Sequence, residues 1–193
     1  MIKRAFDIIA SFFGLILISP VLLVLSGLIR FSMPGPVFFL QKRTGKNDKL
    51  FTMVKFRTMV VNSDCNTTSV LGDSRITPLG TVLRRYKLDE LPELWNVLKG
   101  DMSFVGPRPD VPEYTQRLVG EERLILRLRP GITGPASIKY SREEEILAKV
   151  PDPQKYTDDI IWPDKVKINL DYYYTGSFFK DIEIIFRTVF HNS

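Results

Sequence analysis

Residues 8–29 read IIASFFGLILISPVLLVLSGLI, a continuous apolar run without a charged side chain. A straight helix over this run would be about 33 Å long, which is enough to cross the hydrocarbon core of a bilayer. The run is longer than the apolar part of a usual signal peptide, and no small-x-small cleavage site follows it before Arg30. A buried core helix would be unusual at this length, so the run predicts a membrane segment.

Ser19 and Pro20 lie at the middle of this run. Proline lacks the amide hydrogen that would bond to the carbonyl of Ile16, so the pattern predicts a kink that the Ser19 hydroxyl relieves. Basic residues flank the run on both sides and prefer the cytoplasmic face of a membrane. A helix–break–helix hairpin within one leaflet satisfies both flanks, but a kinked single span is also compatible with the residues. The flanking cations are Lys3, Arg4, Arg30, Lys42 and Arg43.

The composition restricts the chemistry that the chain can perform. Its 193 residues contain one histidine, His191, and one cysteine, Cys65, which excludes Cys/His zinc clusters and intrachain disulfides. Any catalysis must therefore use carboxylates, hydroxyls, lysines and arginines. The net charge of +5 and the pI near 9.3 indicate an anionic partner: nucleic acid, anionic lipid or a phosphorylated small molecule. No nucleic-acid-reading module is present, so a nucleic-acid partner is not expected.

The rest of the chain predicts a mostly helical α+β fold with a small β-hairpin. The hairpin is expected after the breaker at residues 33–36, with strands at 37–43 and 50–59. Helices are expected at 77–86, 91–98, 112–128 and 178–190, whereas the proline-rich stretch 151–163 reads as a loop. The chain therefore divides into a membrane segment, residues 1–33, and a compact α/β domain, residues 34–193.

An adjacent acidic pair, Asp89-Glu90, is the strongest candidate for chemistry. Pro92 is expected at the first position of the next helix, with Gly100 as its C-cap. Neighbouring residues on a regular helix point apart, but at a helix entrance both carboxylates can reach one site. Nearby cations and the helix N-terminus are expected to keep a carboxylate ionised there. The plainer alternative is a pair of first-turn acids that only stabilises the helix.

Basic residues around this pair favour a phosphate-handling site. Lys55 and Arg57 alternate along a predicted strand and are expected on one face. Arg108 lies in the turn Gly106-Pro107-Arg108-Pro109, which is expected to be rigid and to hold one guanidinium in a fixed orientation. Together these residues outline a phosphate site that contains a carboxylate.

With these motifs the sequence resembles the monotopic phosphoglycosyl transferases, also called bacterial sugar transferases. The resemblance covers nearly the whole chain, and the block at residues 88–109 is highly specific. It implies transfer of a sugar phosphate from a UDP-sugar to a polyprenyl phosphate, at the start of surface glycan assembly. It further implies a re-entrant helix broken at Ser19-Pro20 and a catalytic domain facing the cytoplasm at the bacterial inner membrane. The matching segments are KRAFDIIAS (3–11), QKRTG (41–45), KFRTM (55–59), DSRITPLGTVLR (73–84), LDELPELWNVLKGDMSFVGPRP (88–109) and RPGITG (129–134).

The resemblance also implies roles for individual residues. Asp89 matches the family nucleophile, which attacks the β-phosphate and forms a covalent phosphosugar, with Mg²⁺ nearby. Glu90 would deprotonate the polyprenyl phosphate or position groups around the metal. Arg84 and Arg108 match phosphate-contacting arginines, and Lys55 matches a lysine that is either a phosphate ligand or a structural partner of the acids.

Two regions depart from the family pattern. Residues 135–137 are Pro-Ala-Ser where the family often has Trp-Ala-Gln, and residues 142–175 match no motif and are expected to help set sugar identity. Because it starts at its re-entrant segment, the chain resembles a minimal catalytic unit, with membrane lipids and a homodimer among the expected partners. The alternatives are a hydrolase of diphosphate-linked sugars, a catalytically degenerate scaffold of a glycan assembly complex, and a peripheral nucleic-acid binder.

Overall fold

The protein is described by a computed structural model that covers residues 2–61 and 73–190. Cys65, His191 and most of the polar stretch at 60–75 lie outside the described residues. The fold is mostly helical, as the sequence predicts. The helices are α1 (Ile2–Ser32), α2 (Pro78–Arg85), α3 (Glu93–Lys99), α4 (Pro112–Thr115), α5 (Pro135–Lys139), α6 (Glu143–Leu147), α7 (Pro153–Tyr156), α8 (Trp162–Thr175) and α9 (Phe178–Phe190), and the strands are β1 (Phe38–Thr44), β2 (Leu50–Phe56), β3 (Ser103–Val105) and β4 (Gly131–Thr133).

Helix α1 is long and apolar enough to cross a membrane, and most of its apolar side chains are exposed. The helix continues through Pro20, so the expected helix–break–helix is one helix with proline inside it. The Ser19 hydroxyl donates to the Ile16 carbonyl oxygen at 2.8 Å. Ile16 is the residue whose carbonyl loses its helical partner to Pro20, which confirms the predicted local relief and accounts for the uninterrupted helix.

Both ends of α1 pack against the rest of the protein. Near the N-terminus, Asp7 accepts hydrogen bonds from the Ser103 hydroxyl at 3.1 Å and the Phe104 amide at 3.2 Å. Near the C-terminus, Ile29 packs in a core cluster with Phe56 and with other residues of the domain. On an α-helix these two anchor points are about 33 Å apart. The helix therefore lies along the domain instead of projecting from it at one end.

The predicted hairpin is present, with β1 and β2 antiparallel and Phe39 opposite Lys55. Helix α3 is fixed to β2 by Asn96, which is buried. Its side-chain amide donates to the Thr52 carbonyl at 2.8 Å, and its side-chain oxygen accepts from the Val54 amide at 3.1 Å. This bidentate contact holds the middle of α3 against β2, the strand that carries Lys55.

A second small sheet, which the sequence did not predict, joins β3 and β4 in parallel. The Gly106 amide donates to the Thr133 carbonyl at 2.9 Å, and the Gly131 amide donates to Pro107 at 2.8 Å. A Cβ on Gly106 would lie 2.2 Å from the carbonyl oxygen of Arg129, so this close approach requires glycine. The two glycine-containing motifs therefore form one packed unit.

Two expected elements differ from the structure. The single helix predicted at 112–128 is instead the short α4 and a 3₁₀ segment, Gly120–Arg127, because Gly120 adopts a positive φ of 54° between them. The expected loop at 151–163 is helical. Pro153 and Pro163 stand in the first turns of α7 and α8, where proline does not interrupt a helix.

Candidate active site

The Asp89-Glu90 pair lies in a tight turn between α2 and α3. Lys87 adopts a left-handed conformation, with φ 55°, and a 3₁₀ turn over Leu88–Glu90 follows it. Non-glycine residues with positive φ are uncommon, so this turn is held by its surroundings. Pro92 is the N-cap of α3, whereas the sequence predicts it at the first helical position. Gly100 is the C-cap, as predicted, with φ 100°.

Asp89 is buried, with 9% of its surface exposed. Its Oδ1 atom has no hydrogen-bond partner among the described residues. Burial raises the pKa of the Asp89 carboxyl above its usual value, as does the neighbouring charge of Glu90, whereas Lys55, Arg84 and Lys87 oppose the rise. The sequence predicts that nearby cations favour the ionised form, and these three cations do, but desolvation outweighs them and the net shift of the pKa is upward.

Glu90 is held by two cations. Lys55 Nζ lies 2.8 Å from Glu90 Oε1, and Arg108 donates to the same oxygen. Burial alone would raise the pKa of Glu90, but Arg108 and Lys55 together hold it well below its usual range. The two adjacent carboxylates thus have pKa values shifted in opposite directions, a pattern found where carboxylates have different chemical roles.

The turn that contains Arg108 is hydrogen-bonded to the end of β1. The Arg43 guanidinium donates to the Pro109 carbonyl at 3.1 Å, and the Thr44 amide donates to the Asp110 carbonyl at 3.0 Å. The Arg108 side chain is 43% exposed, so its outer edge is open to a ligand. The motif at 41–45 therefore supports the site without entering it.

Arg84 stands beside the acidic pair on α2. Its Nε donates to the Thr58 hydroxyl at 3.0 Å, and its Nη1 lies 3.2 Å from Glu144 Oε1. Its charge acts on Asp89. The structure thus brings together Lys55, Arg84 and Arg108 around the acidic pair, as the sequence predicts.

Arg57 is not part of this group. It is buried, with 6% of its surface exposed. Its guanidinium donates to the backbone carbonyls of Pro36, Pro34 and Met33 at 2.6, 3.0 and 2.7 Å. The predicted substrate-binding role has no support in this geometry, because β2 ends at Phe56 and the chain turns Arg57 toward the segment that follows α1.

A hard cation such as Mg²⁺ prefers oxygen ligands, and the site offers carboxylate oxygens. No group of three or more histidine, cysteine, aspartate or glutamate residues that suits a metal is found within residues 2–61 and 73–190. Magnesium is nevertheless commonly held by one or two carboxylates together with substrate phosphates. The unpartnered Asp89 Oδ1 fits that mode of binding, in which the substrate supplies most of the ligands.

Residues 1–192 match the family model described as bacterial sugar transferase. The chain belongs to this family. Its match extends over α1 as well as the domain that carries the acidic pair.

Three relatives of this sugar transferase differ in their names and in the share of their length that the chain covers. The chain is 36% identical over 195 residues to the UDP-N-acetylgalactosamine-undecaprenyl-phosphate N-acetylgalactosaminephosphotransferase of Aeromonas hydrophila, and the match covers 97% of this chain and 43% of that protein. It is 39% identical over 196 residues to the UDP-glucose:undecaprenyl-phosphate glucose-1-phosphate transferase of Escherichia coli, covering 98% of this chain and 40% of that protein. It is 34% identical over 206 residues to the exopolysaccharide production protein ExoY of Rhizobium meliloti, covering 98% and 84%.

Two residues of the sugar transferase site were missed from the sequence. Glu93 is buried, and its Oε1 lies 3.1 Å from Lys55 Nζ, so Lys55 bridges two glutamates. Burial raises the pKa of Glu93. Its spacing of three residues from Glu90 was the available signal. Glu144, by contrast, lies in the segment without a family motif, and only the tertiary fold brings it to Arg84.

Proposed function

We propose that the protein is a phosphoglycosyl transferase that moves a sugar-1-phosphate from a UDP-sugar to a polyprenyl phosphate, through a covalent intermediate on Asp89. The names of the relatives support the class of reaction. The observation that carries the covalent step is the buried Asp89 carboxylate with an unpartnered oxygen, placed among Lys55, Arg84 and Arg108. A raised pKa makes this carboxylate more basic than an ordinary aspartate and hence a better nucleophile.

The reaction divides into two displacements at phosphorus. In the first, an Asp89 oxygen bonds to the β-phosphorus of the UDP-sugar, the bond to the bridging oxygen breaks, and UMP leaves with that electron pair. In the second, a phosphate oxygen of the polyprenyl phosphate bonds to the same phosphorus, and the Asp89–phosphorus bond breaks. Asp89 is regenerated, and the product is a polyprenyl diphosphate sugar.

Glu90 acts in this proposal as a positioning residue. Lys55 and Arg108 keep its pKa far below neutral, so it binds protons poorly and is unsuited as a general base. Its carboxylate instead fixes the two cations beside Asp89. Lys55 and Arg108, oriented in this way, stabilise the charge that develops on the transferred phosphate.

A magnesium ion is part of the proposal. Asp89 would hold it together with phosphate oxygens of the donor. When bound, the ion offsets the repulsion between a carboxylate and two adjacent phosphates.

The membrane arrangement proposed is a re-entrant one, with both ends of α1 at the cytoplasmic face of the inner membrane. The contacts of Asp7 and Ile29 with one domain support it, because a full span would place these residues on opposite sides. Labelling of single cysteines near Ile2, in a Cys65→Ser background, tests it from each side. Labelling from the outside of the membrane would contradict the proposal.

The most direct test of the activity is a panel of UDP-sugars, with and without polyprenyl phosphate, scored by UMP release. One sugar is expected to give sustained release that requires the acceptor. Sustained release without acceptor would indicate a hydrolase. No release with any sugar would indicate the scaffold alternative, which the complete set of matched residues does not favour.

A further inference from the structure

A cavity of about 250 Å³ lies at the N-terminal end of α1. We call it the basic cavity. Side chains from α1, the β1–β2 turn and the segment before β4 line it. Its charged residues are Lys3, Arg4, Asp7, Lys46, Arg127 and Arg129. Five cations therefore face one carboxylate.

Most of this positive charge is not neutralised by the residues that the structure describes. Lys3 pairs with Asp181 at 2.7 Å. The other four cations form no ion pair with any residue in 2–61 or 73–190, and Asp7 is already bonded to Ser103 and Phe104. A concave surface with uncompensated positive charge concentrates anions.

Two of the cations are held in place by backbone carbonyls. Arg4 donates to Val97 at 2.7 Å and to Leu98 at 2.9 Å. Arg129 Nε donates to Gly100 at 3.0 Å. A guanidinium has five N–H donors, so these contacts orient each arginine and leave donors for a ligand. Planar, fixed guanidinium groups suit phosphate oxygens in particular.

The basic cavity is distinct from the proposed active site. Arg4 and Arg129 bind carbonyls at the C-terminal end of α3, whereas Asp89 and Glu90 precede its N-terminal end, and α3 is about 10 Å long. The cavity instead lies at the first two turns of α1, whose exposed apolar side chains include Ile2 and Ile8. In the membrane arrangement proposed above, the cations at this end of α1 would lie near the lipid phosphates.

We propose that the basic cavity binds a phosphate group at the membrane surface, either the headgroup phosphate of an anionic phospholipid or a free phosphate ion. The phosphate would connect the first turn of α1 with the β1–β2 turn and the segment before β4. The lipid source rests on the proposed membrane attachment of α1, whereas the phosphate site itself does not.

The test uses the full chain in a non-ionic detergent and measures binding by titration calorimetry. The probes are inorganic phosphate, dihexanoyl phosphatidylglycerol and, as a reference without net charge, dihexanoyl phosphatidylcholine. The test variant is Lys46→Gln/Arg127→Gln, in which both side chains are exposed. The control is Lys42→Gln/Lys49→Gln, which removes the same charge from exposed residues that do not line the cavity.

We expect the test variant to bind the anionic probe at least about tenfold more weakly than wild type, and the control to bind it within about twofold. Binding of phosphatidylglycerol alone identifies the lipid headgroup, and equal binding of inorganic phosphate identifies the free ion; both support the site. Failure of both anionic probes to bind, or an unchanged affinity in the test variant, would overturn it. Because turnover is not measured, failure of the proposed activity leaves this result interpretable.

Discussion

Asp7 and Asp89 are both buried aspartates, but their surroundings differ in one respect. An Asp7 oxygen receives two hydrogen bonds, from the Ser103 hydroxyl and the Phe104 amide. An Asp89 oxygen receives none from the described residues, although Lys55 and Arg84 lie close enough to act on its charge. A buried carboxylate without partners is unfavourable for folding. The contrast indicates that Asp7 anchors α1, whereas Asp89 is kept available for a ligand.

The largest expected effect separates these two aspartates. Asp89→Ala should reduce transfer by at least about 10³-fold because it removes the proposed nucleophile, while the free energy of unfolding stays within about 1 kcal/mol. Asp7→Ala should lower that free energy by about 3 kcal/mol, because it leaves two buried donors unpaired. The measurements are UMP release and thermal unfolding of both variants. A strongly destabilised Asp89 variant with residual activity would reverse the comparison.

The second comparison concerns two arginines near the site. Arg57→Met should lower the free energy of unfolding by about 3 kcal/mol, since its guanidinium donates to three backbone carbonyls. Its KM for the UDP-sugar should not change. Arg84→Met should lower kcat/KM about 10²-fold, because Arg84 lies beside Asp89. A large change in KM for a folded Arg57 variant would restore Arg57 to the substrate site.

These predictions show which parts of the site could be read from the sequence. The acidic pair, Lys55, Arg84 and Arg108 lie in specific motifs, and the fold brings them together. Arg57 was misplaced because alternation along a strand holds only as far as the strand, and β2 ends one residue before it. The direction of the Asp89 pKa depends on burial, which local charge patterns do not report.

Some elements of the fold could be predicted from the sequence and others could not. Local signals predicted α1, the hairpin, α2 and α9, where apolar runs and turn residues agree. The parallel pairing of β3 with β4 joins segments distant in sequence, and three-residue strands have no periodicity to read. The prolines Pro153 and Pro163 made the start of α7 and of α8 read as a loop, although proline is compatible with the first turn of a helix.

The pH dependence of intermediate formation offers a smaller effect. Because the pKa of Asp89 is raised, the first half-reaction should be lost on acidification at a higher pH than for an ordinary aspartate. Lys55 lowers that pKa, so Lys55→Gln should move the acid limb to still higher pH and slow the step about tenfold. Rapid-quench UMP release across pH measures both. An acid limb that moves downward would contradict the assigned charge contacts.

The smallest expected effect concerns Glu144. This residue pairs with Arg84, so if Arg84 binds the donor phosphate as proposed, Glu144 would compete for the same guanidinium. Glu144→Gln should lower the KM for the UDP-sugar about two- to fivefold, within the range of a partly exposed ion pair. Glu145→Gln, on the same helix and exposed, is the matched control and should leave KM unchanged. An increase in KM for Glu144→Gln would instead indicate that Glu144 binds the sugar.

The covalent role of Asp89 is tested most directly by intact-mass measurement of the protein with UDP-sugar and without acceptor. We predict an adduct of one sugar phosphate on a peptide that contains Asp89, lost on addition of polyprenyl phosphate and absent from Asp89→Asn. The same preparation should show UMP release before acceptor binding, which gives ping-pong kinetics. Sequential kinetics without an adduct would contradict the account and leave Asp89 as a metal ligand in a direct displacement.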